Sequence, residues 1–321
     1  MEGFSSIIGH ETVISTLMHH VDTDRVSHAY LFLGPEGVGK YLTAWSFAWE
    51  RIAKDDPGAG VFYDHDSHPD LLLLSKDEGK TMVAKDQITK TLEPWLAFKP
   101  YLARFKTVII RDAHLLSLEA ANALLKTLED PPEYAVIILV ADENNLLETI
   151  VSRCRLMRFS PFPEKSIANF LIEKNPNPEA AKEAALLSQG SIGKALLFAQ
   201  ETELTNFWDT ASGSLVKLIA GNRAEIFNLS EKTKNNPDLY IRMIELLLRD
   251  ICVYHLHKAE SFLLKPGYSH FWKDIDEIRI EAIVKLLPEI SGLRSLLRKN
   301  VNPLAISSNM AFLLWDMFND I

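Results

Sequence analysis

The sequence predicts a doubly wound α/β domain with a parallel sheet, followed by a small helical domain and a larger all-helical domain. Two observations predict this order. In the first half of the chain, short apolar runs alternate with amphipathic helical segments, and continuous apolar runs are typical of strands buried in a parallel sheet. After about residue 160, prolines interrupt the chain, convincing strand patterns stop, and only helical segments follow.

Five strands are predicted for the sheet, each a short apolar run. They lie at 29–33 (AYLFL), 71–74 (LLLL), 107–110 (TVII), 135–141 (AVIILVA) and 156–159 (LMRF). A helix is predicted over 118–130, with Ser117 as its N-cap and two prolines after its end. This alternation of strands and helices is typical of a doubly wound α/β domain.

Three domains are predicted, over 1–160, 161–202 and 203–321. The helices expected in the second and third domains lie at 164–174, 178–190, 191–200, 238–256, 278–287 and 303–318. Asn177 precedes Pro178, which suits the first position of a helix.

The composition excludes several classes of protein. Of the 321 residues, 47% are hydrophobic and 24% are charged, which excludes a disordered or fibrous chain. Two cysteines cannot form a disulfide scaffold, and a net charge of −9 argues against a nucleic-acid binder that works by bulk charge. With no long apolar run and no basic leader, we expect no membrane partner and a cytoplasmic location.

A phosphate-binding loop is predicted between the first strand and the next helix. The segment 34–40 (GPEGVGK) fits the pattern G-x-x-x-x-G-K. Gly34, Gly37 and Gly39 would let backbone N–H groups surround a phosphate, and Lys40 would approach its outer oxygens. The pattern fails at its last position, because Tyr41 stands where a serine or threonine normally contacts Mg²⁺.

The groups that hydrolyse ATP are incomplete in this sequence. Asp112 follows the third strand, but Ala113 stands where a water-activating glutamate would come next. Loss of a general base typically lowers a rate about 10²–10⁴-fold. The fourth strand, ending at Val140 and Ala141, shows no polar residue to stand beside the outermost phosphate. We therefore expect negligible ATP hydrolysis by this chain.

Several motifs together resemble the delta-prime subunits of the bacterial DNA polymerase III clamp loader, in the AAA+ superfamily. They are 8–11 (IGHE), 27–32 (SHAYLF), 68–70 (HPD), 120–132 (AANALLKTLEDPP), 152–154 (SRC) and 300–305 (NVNPLA). The resemblance covers most of the chain. It implies an AAA+ domain, a helical lid and a helical collar that binds neighbouring subunits.

The resemblance implies that Arg153 is an arginine finger, delivered to ATP bound in a neighbouring subunit, with Ser152 and Cys154 as its motif neighbours. An arginine offers a permanently charged fork to a phosphoryl group. The implied partners are the gamma/tau motor subunits, the delta subunit, the sliding clamp and, through the complex, primed DNA. The chain would thus serve a DNA-directed DNA polymerase holoenzyme.

Two alternatives stay open at this stage. The chain could be an ATP-hydrolysing motor subunit of the same complex, or an AAA+ scaffold outside replication. The motor alternative is opposed by Tyr41, Ala113 and also Gly193, since the resemblance implies that motor subunits carry an arginine at that last position.

No cofactor is expected to be required by the chain, although Lys40 and the loop amides could still hold ATP or ADP. Related subunits commonly carry a cysteine zinc module before the HPD segment. Here Asp64, His65, Asp66 and His68 are the only candidate ligands in that region, so we expect no metal site and no zinc.

Overall fold

The computed structural model describes residues 3–63, 67–142, 145–174, 177–201, 203–273, 279–298 and 301–319. The chain divides into two compact units, Met1–Ala199 and Gln200–Ile321. The first unit contains a five-stranded sheet, and the described part of the second unit is built from helices.

The sheet is parallel throughout, with the strand order β2-β3-β4-β1-β5. Its strands are β1 (Ala29–Leu33), β2 (Leu71–Leu74), β3 (Lys106–Ile110), β4 (Ala135–Ala141) and β5 (Arg155–Arg158). Every residue of β1, β3 and β4 is buried, as the continuous apolar runs predict. The predicted doubly wound α/β class is therefore confirmed, with β5 starting one residue before its predicted position.

Helices cover both faces of this sheet, which therefore lies between two hydrophobic cores. Leu31 and Ile137 belong to one core, while Phe32 and Ile138 belong to the other. The helices that follow or precede the strands are α1 (Glu11–Thr23), α2 (Lys40–Asp55), α3 (Gly60–Tyr63), α4 (Glu93–Leu96), α5 (Leu118–Glu129) and α6 (Glu148–Val151). A π-helical turn, Gln87–Leu92, leads into α4. Two 3-10 turns, Gly3–Ser6 and Ala113–Leu115, complete this part.

Three further helices follow the sheet: α7 (Glu164–Lys174), α8 (Pro178–Leu187) and α9 (Ile192–Gln200). They enclose a small core of their own, which includes Ile167 and Ala184. The Asn177 side chain accepts hydrogen bonds from two backbone N–H groups at the start of α8, as an N-cap should. The division into three domains stays a prediction.

The second unit contains α10 (Leu204–Ile219), α11 (Ala224–Thr233), α12 (Pro237–His257), α13 (Ile280–Arg298) and α14 (Pro303–Asn319), with two 3-10 turns at Glu260–Phe262 and Pro266–Phe271. The prediction that a helix stops at residue 287 is wrong, because α13 continues through Pro288. Ile283 and Ile290, on either side of the proline, are both fully buried, so packing maintains the helix despite the missing N–H. Asn300 of the NVNPLA motif lies outside the described residues.

Among the described helices, none has the length and apolar character required to cross a membrane.

Candidate functional site

The phosphate loop connects β1 to α2 at the carboxyl edge of the sheet. Gly37 and Gly39 both have a positive φ, of 73° and 93°, a conformation that glycine adopts without strain. Gly34 is packed so closely that a Cβ there would collide with the backbone of Phe159. The predicted glycines are therefore required by the backbone path of this loop.

Two carbonyl groups of the loop are held by other parts of the same unit. The backbone N–H of Gly193, in α9, donates to the carbonyl of Gly37 over 2.9 Å. The Nε2 atom of His10 lies 3.0 Å from the carbonyl oxygen of Val38, and burial lowers the pKa of this imidazole. The loop is thus attached both to the helices after the sheet and to the N-terminal segment.

The loop lysine is already paired within the chain. Lys40 is only 4% exposed, and its ammonium lies 2.7 Å from Oδ1 of Asp142 and donates to the carbonyl of Pro35 over 2.5 Å. Asp142 directly follows β4, next to β1 in the sheet. The expectation that this strand ends without a polar group beside the phosphate site is therefore wrong, because the carboxylate of Asp142, one residue beyond Ala141, lies beside the loop lysine.

Tyr41 and Asp112 lie at the same edge of the sheet. The Arg111 guanidinium lies over the Tyr41 ring, 4.2 Å from its centroid, and this ring also lies near Trp45. Tyr41 thus takes part in a cation–π contact at the position where a serine or threonine would contact Mg²⁺. Asp112 follows β3 with a φ of 53° and accepts the backbone N–H of Leu115 through its carbonyl group.

These residues line a cavity of about 630 Å³, a size that suits a small-molecule ligand. The predicted residues that the structure brings together here are Gly37, Gly39, Lys40, Tyr41 and Asp112. The apolar lining is contributed by Ile7, Ile8, Val140, Phe170, Ile192 and Leu196, and further cations by Arg111 and Lys174. Ligands of doubly wound sheets bind at this carboxyl edge.

The predicted arginine finger lies elsewhere, on the turn between α6 and β5, and is not among the residues that line the cavity. Arg153 donates through Nη1 to the carbonyl of Thr149 over 2.9 Å and through Nη2 to Oε1 of Glu129 over 2.8 Å. Its side chain is 35% exposed and that of Glu129 is 55% exposed. The arginine is therefore held in place but accessible to solvent.

The two motif neighbours of Arg153 hold the turn. The Ser152 hydroxyl donates to the carbonyl of Thr149. Cys154 packs against the core that includes Leu31, and burial raises the pKa of its thiol to about 12. A thiol with such a pKa has very little thiolate near neutral pH, so it suits packing rather than nucleophilic chemistry.

The HPD segment, for which the sequence predicts no role, fixes the loop at residues 101–103. The fully buried Asp70 carboxylate accepts hydrogen bonds from the backbone N–H groups of Tyr101, Leu102 and Ala103, over 2.7–2.8 Å. His68 is buried as well, and its Nδ1 accepts the backbone N–H of Asp70. A buried carboxylate with three N–H donors fixes the chain that leads into β3.

The proposed absence of zinc stays a prediction. Asp64, His65 and Asp66 lie outside the described residues, and His68 is buried beside Trp49. Within the described ranges, no group of three or more His, Cys, Asp or Glu side chains could hold a metal ion.

Comparison with known proteins shows which family this chain resembles. A family model described as "DNA polymerase III, delta subunit" matches residues 9–163. The chain is 23% identical to subunit delta' of DNA polymerase III from Bacillus subtilis, over 94% of this chain and 95% of the relative. It is 40% identical to subunit delta' from Escherichia coli, over 42% of this chain and 40% of the relative. It is also 33% identical to subunit tau/gamma from Haemophilus influenzae, over 60% of this chain but only 30% of that longer relative.

Proposed function

Because the chain belongs to the delta-prime family of DNA polymerase III subunits, we propose that it is a non-hydrolysing subunit of a clamp-loader complex. In that role it helps motor subunits to place the ring-shaped sliding clamp on primed DNA during replication. Its partners are the gamma/tau motor subunits and the delta subunit, together with the clamp and, through the assembled complex, primed DNA. The proposed location of the protein is the cytoplasm.

The observation that carries the non-hydrolysing role is the state of Lys40. Its ammonium is buried and paired with Asp142, so it is not poised for the phosphates of ATP. Ala113 supplies no general base, and Tyr41 contacts Arg111 instead of offering a small hydroxyl for Mg²⁺. These features support a chain that requires no cofactor of its own, although the glycine loop could retain weak binding of ATP or ADP.

The contribution of the chain to ATP hydrolysis is then Arg153, offered to a nucleotide bound by the neighbouring subunit. The turn fixes the backbone and part of the guanidinium, while the exposure of the side chain leaves it accessible to another chain. Such an arginine stabilises the charge that develops on a transferring phosphoryl group.

Two other functions compete with this proposal. The similarity to subunit tau/gamma favours an ATP-hydrolysing motor, but this similarity spans 30% of that relative, and Tyr41, Ala113 and Gly193 oppose it. An AAA+ scaffold outside replication would keep the same fold without binding a sliding clamp or a motor subunit.

The test combines this chain with gamma/tau, delta, clamp and primed DNA and measures ATP turnover. We expect the chain to stimulate turnover, and Arg153→Ala to lower turnover at the adjoining ATP site about 10³-fold, so that the stimulation is lost. Arg158→Ala, which changes another exposed arginine a few residues further on, should keep the stimulation.

Three results would contradict the proposal. Full stimulation by Arg153→Ala would exclude the arginine finger. Turnover by the isolated chain that Lys40→Ala abolishes would identify a motor subunit. Failure to assemble with both a clamp and a motor subunit would favour the scaffold.

A further inference from the structure

The carboxylate that meets the phosphate-loop lysine comes from the chain itself. Asp142 Oδ1 lies 2.7 Å from Lys40 Nζ, and the carbonyl oxygen of Pro35 lies 2.5 Å from the same nitrogen. An ammonium has three N–H donors, and these contacts account for two of them. An anion of the chain therefore already holds one of the N–H donors with which this lysine would approach an outer phosphate.

Asp142 is also fixed in place by its surroundings. Its backbone N–H donates to Nδ1 of His114 over 3.3 Å, and it directly follows the fully buried strand β4. Its carboxylate is 25% exposed, whereas the lysine is 4% exposed. A nucleotide entering the cavity thus meets a positioned negative charge beside the lysine.

We propose that Asp142 acts as a built-in anion on Lys40 and selects against nucleoside triphosphates in this cavity, more strongly than against diphosphates. The triphosphate carries the larger charge and extends further along the loop toward the lysine. To bind as it does in an active site, it would have to displace the carboxylate from a buried ammonium and then lie beside it. Like charges at such a distance in a partly buried site repel strongly.

The attachment of the phosphate loop to α9 also disfavours binding of a triphosphate. The N–H of Gly193 holds the carbonyl of Gly37, and a Cβ at Gly37 would collide with the Ser191 hydroxyl. The loop is therefore closely covered on one side by the start of α9. The limited space beside the loop and the charge of Asp142 both disfavour a long polyanion at Lys40, while the apolar side chains of the cavity can contact the nucleoside part of a ligand.

The test measures binding of ATP and ADP, each with Mg²⁺, to the isolated full-length chain by calorimetry. We expect the unchanged chain to bind ATP more weakly than ADP. Asp142→Asn should bind ATP at least about tenfold more tightly, which corresponds to about 1.4 kcal/mol, with a smaller gain for ADP. Lys40→Ala combined with Asp142→Asn should lose the gain.

A charge-matched control separates a specific effect from a general one. Asp86 is an exposed carboxylate that does not line the cavity and is paired with a lysine, Lys90, and Asp86→Asn should change ATP affinity less than about threefold, because water and salt screen an exposed charge. An equal gain in this control would overturn the proposal. So would unchanged ATP affinity in Asp142→Asn, no binding by any variant, or tighter binding of ATP than of ADP by the unchanged chain.

Circular dichroism checks that Asp142→Asn is folded, and Asp142→Ala serves as a second variant. If neither folds, the comparison of ATP with ADP on the unchanged chain still decides the proposal. The inference deepens the proposed non-hydrolysing role, but the two can fail separately. Nucleotide binding by the isolated chain tests Asp142, whereas stimulated turnover in the assembled complex tests Arg153.

Discussion

Two ion pairs of nearly equal length have very different surroundings in this molecule. Lys40 and Asp142 are 2.7 Å apart, and Arg153 and Glu129 are 2.8 Å apart. Lys40 is almost fully buried, while about a third of Arg153 and more than half of Glu129 is exposed. Distance alone would rank these pairs as equal, but burial separates them.

The difference in burial determines which cation can serve another molecule. Removing the partner of a buried charge leaves that charge without compensation, which costs several kcal/mol, whereas an exposed pair contributes about 0–1 kcal/mol. Lys40 is therefore committed to its own chain. Arg153 can exchange Glu129 for a phosphate at small cost, as the proposed role of this arginine requires.

The first prediction has the largest expected effect and concerns the rigidity of the turn that carries Arg153. With Cys252→Ser leaving one thiol, Cys154 should react with iodoacetamide at pH 8 about 10³-fold more slowly in the folded chain than after unfolding, since burial raises its pKa from 9.0 to about 12. Mass spectrometry measures the rate. Above pH 9 the unfolded thiol ionises while the folded one stays protonated, so this group lowers stability as pH rises toward 12.

A folded-state rate within tenfold of the unfolded rate would mean that the turn opens readily. The short contacts that hold Arg153 would then describe only one of several states of the turn. Arg153 could no longer be compared with Lys40 as a cation held in a fixed position.

The second prediction concerns the buried carboxylate of Asp70, which accepts three backbone N–H groups. Asp70→Ala should lower the free energy of unfolding by about 3 kcal/mol, because three buried or partly buried N–H groups lose their acceptor. Asp70→Asn keeps one acceptor oxygen and should cost less. Denaturant titration measures both.

The matched control is Asp86→Ala, which removes an exposed carboxylate paired with Lys90 and should cost less than about 0.5 kcal/mol. Similar losses for Asp70→Ala and Asp86→Ala would show that burial does not set the value of a charged group in this chain.

The sheet could be predicted closely because its signal is local. The runs that became β1 and β4 are continuous and apolar, and their predicted bounds match the structure. The phosphate loop was equally readable, since its glycines and its lysine lie within a few residues. The predicted end of α13 at residue 287 is wrong because the helix continues through Pro288, where packing on both sides of the proline maintains it.

The pairing of Lys40 could not be predicted, because its partner is distant in the chain. Asp142 meets Lys40 only after β4 has paired with β1 in the sheet. The ion pair of Arg153 with Glu129 likewise depends on the end of α5 lying near the turn before β5. Sequence patterns indicated which residues carry chemistry, while the folded chain determined which of them are already paired.

The third prediction concerns the ion pair of Lys40 with Asp142, whose coupling energy a double-mutant cycle measures. Lys40→Met and Asp142→Asn should each destabilise the chain, and the double variant should recover part of the loss. We expect a coupling energy of about 2 kcal/mol, below the value for a fully buried pair because Asp142 is a quarter exposed. A coupling energy near zero would mean that Lys40 is not committed to Asp142.

The last prediction applies the same cycle to the exposed pair. Arg153→Ala and Glu129→Gln should show a coupling energy of about 0.5 kcal/mol, which 1 M salt should abolish, because water and ions screen both side chains. In the assembled complex, Glu129→Gln should keep the stimulation of ATP turnover, since it releases Arg153 without removing it. A coupling energy as large as that of Lys40 with Asp142 would mean that Arg153 is also committed to its own chain, and transfer to a neighbouring nucleotide would then cost too much for the proposed role.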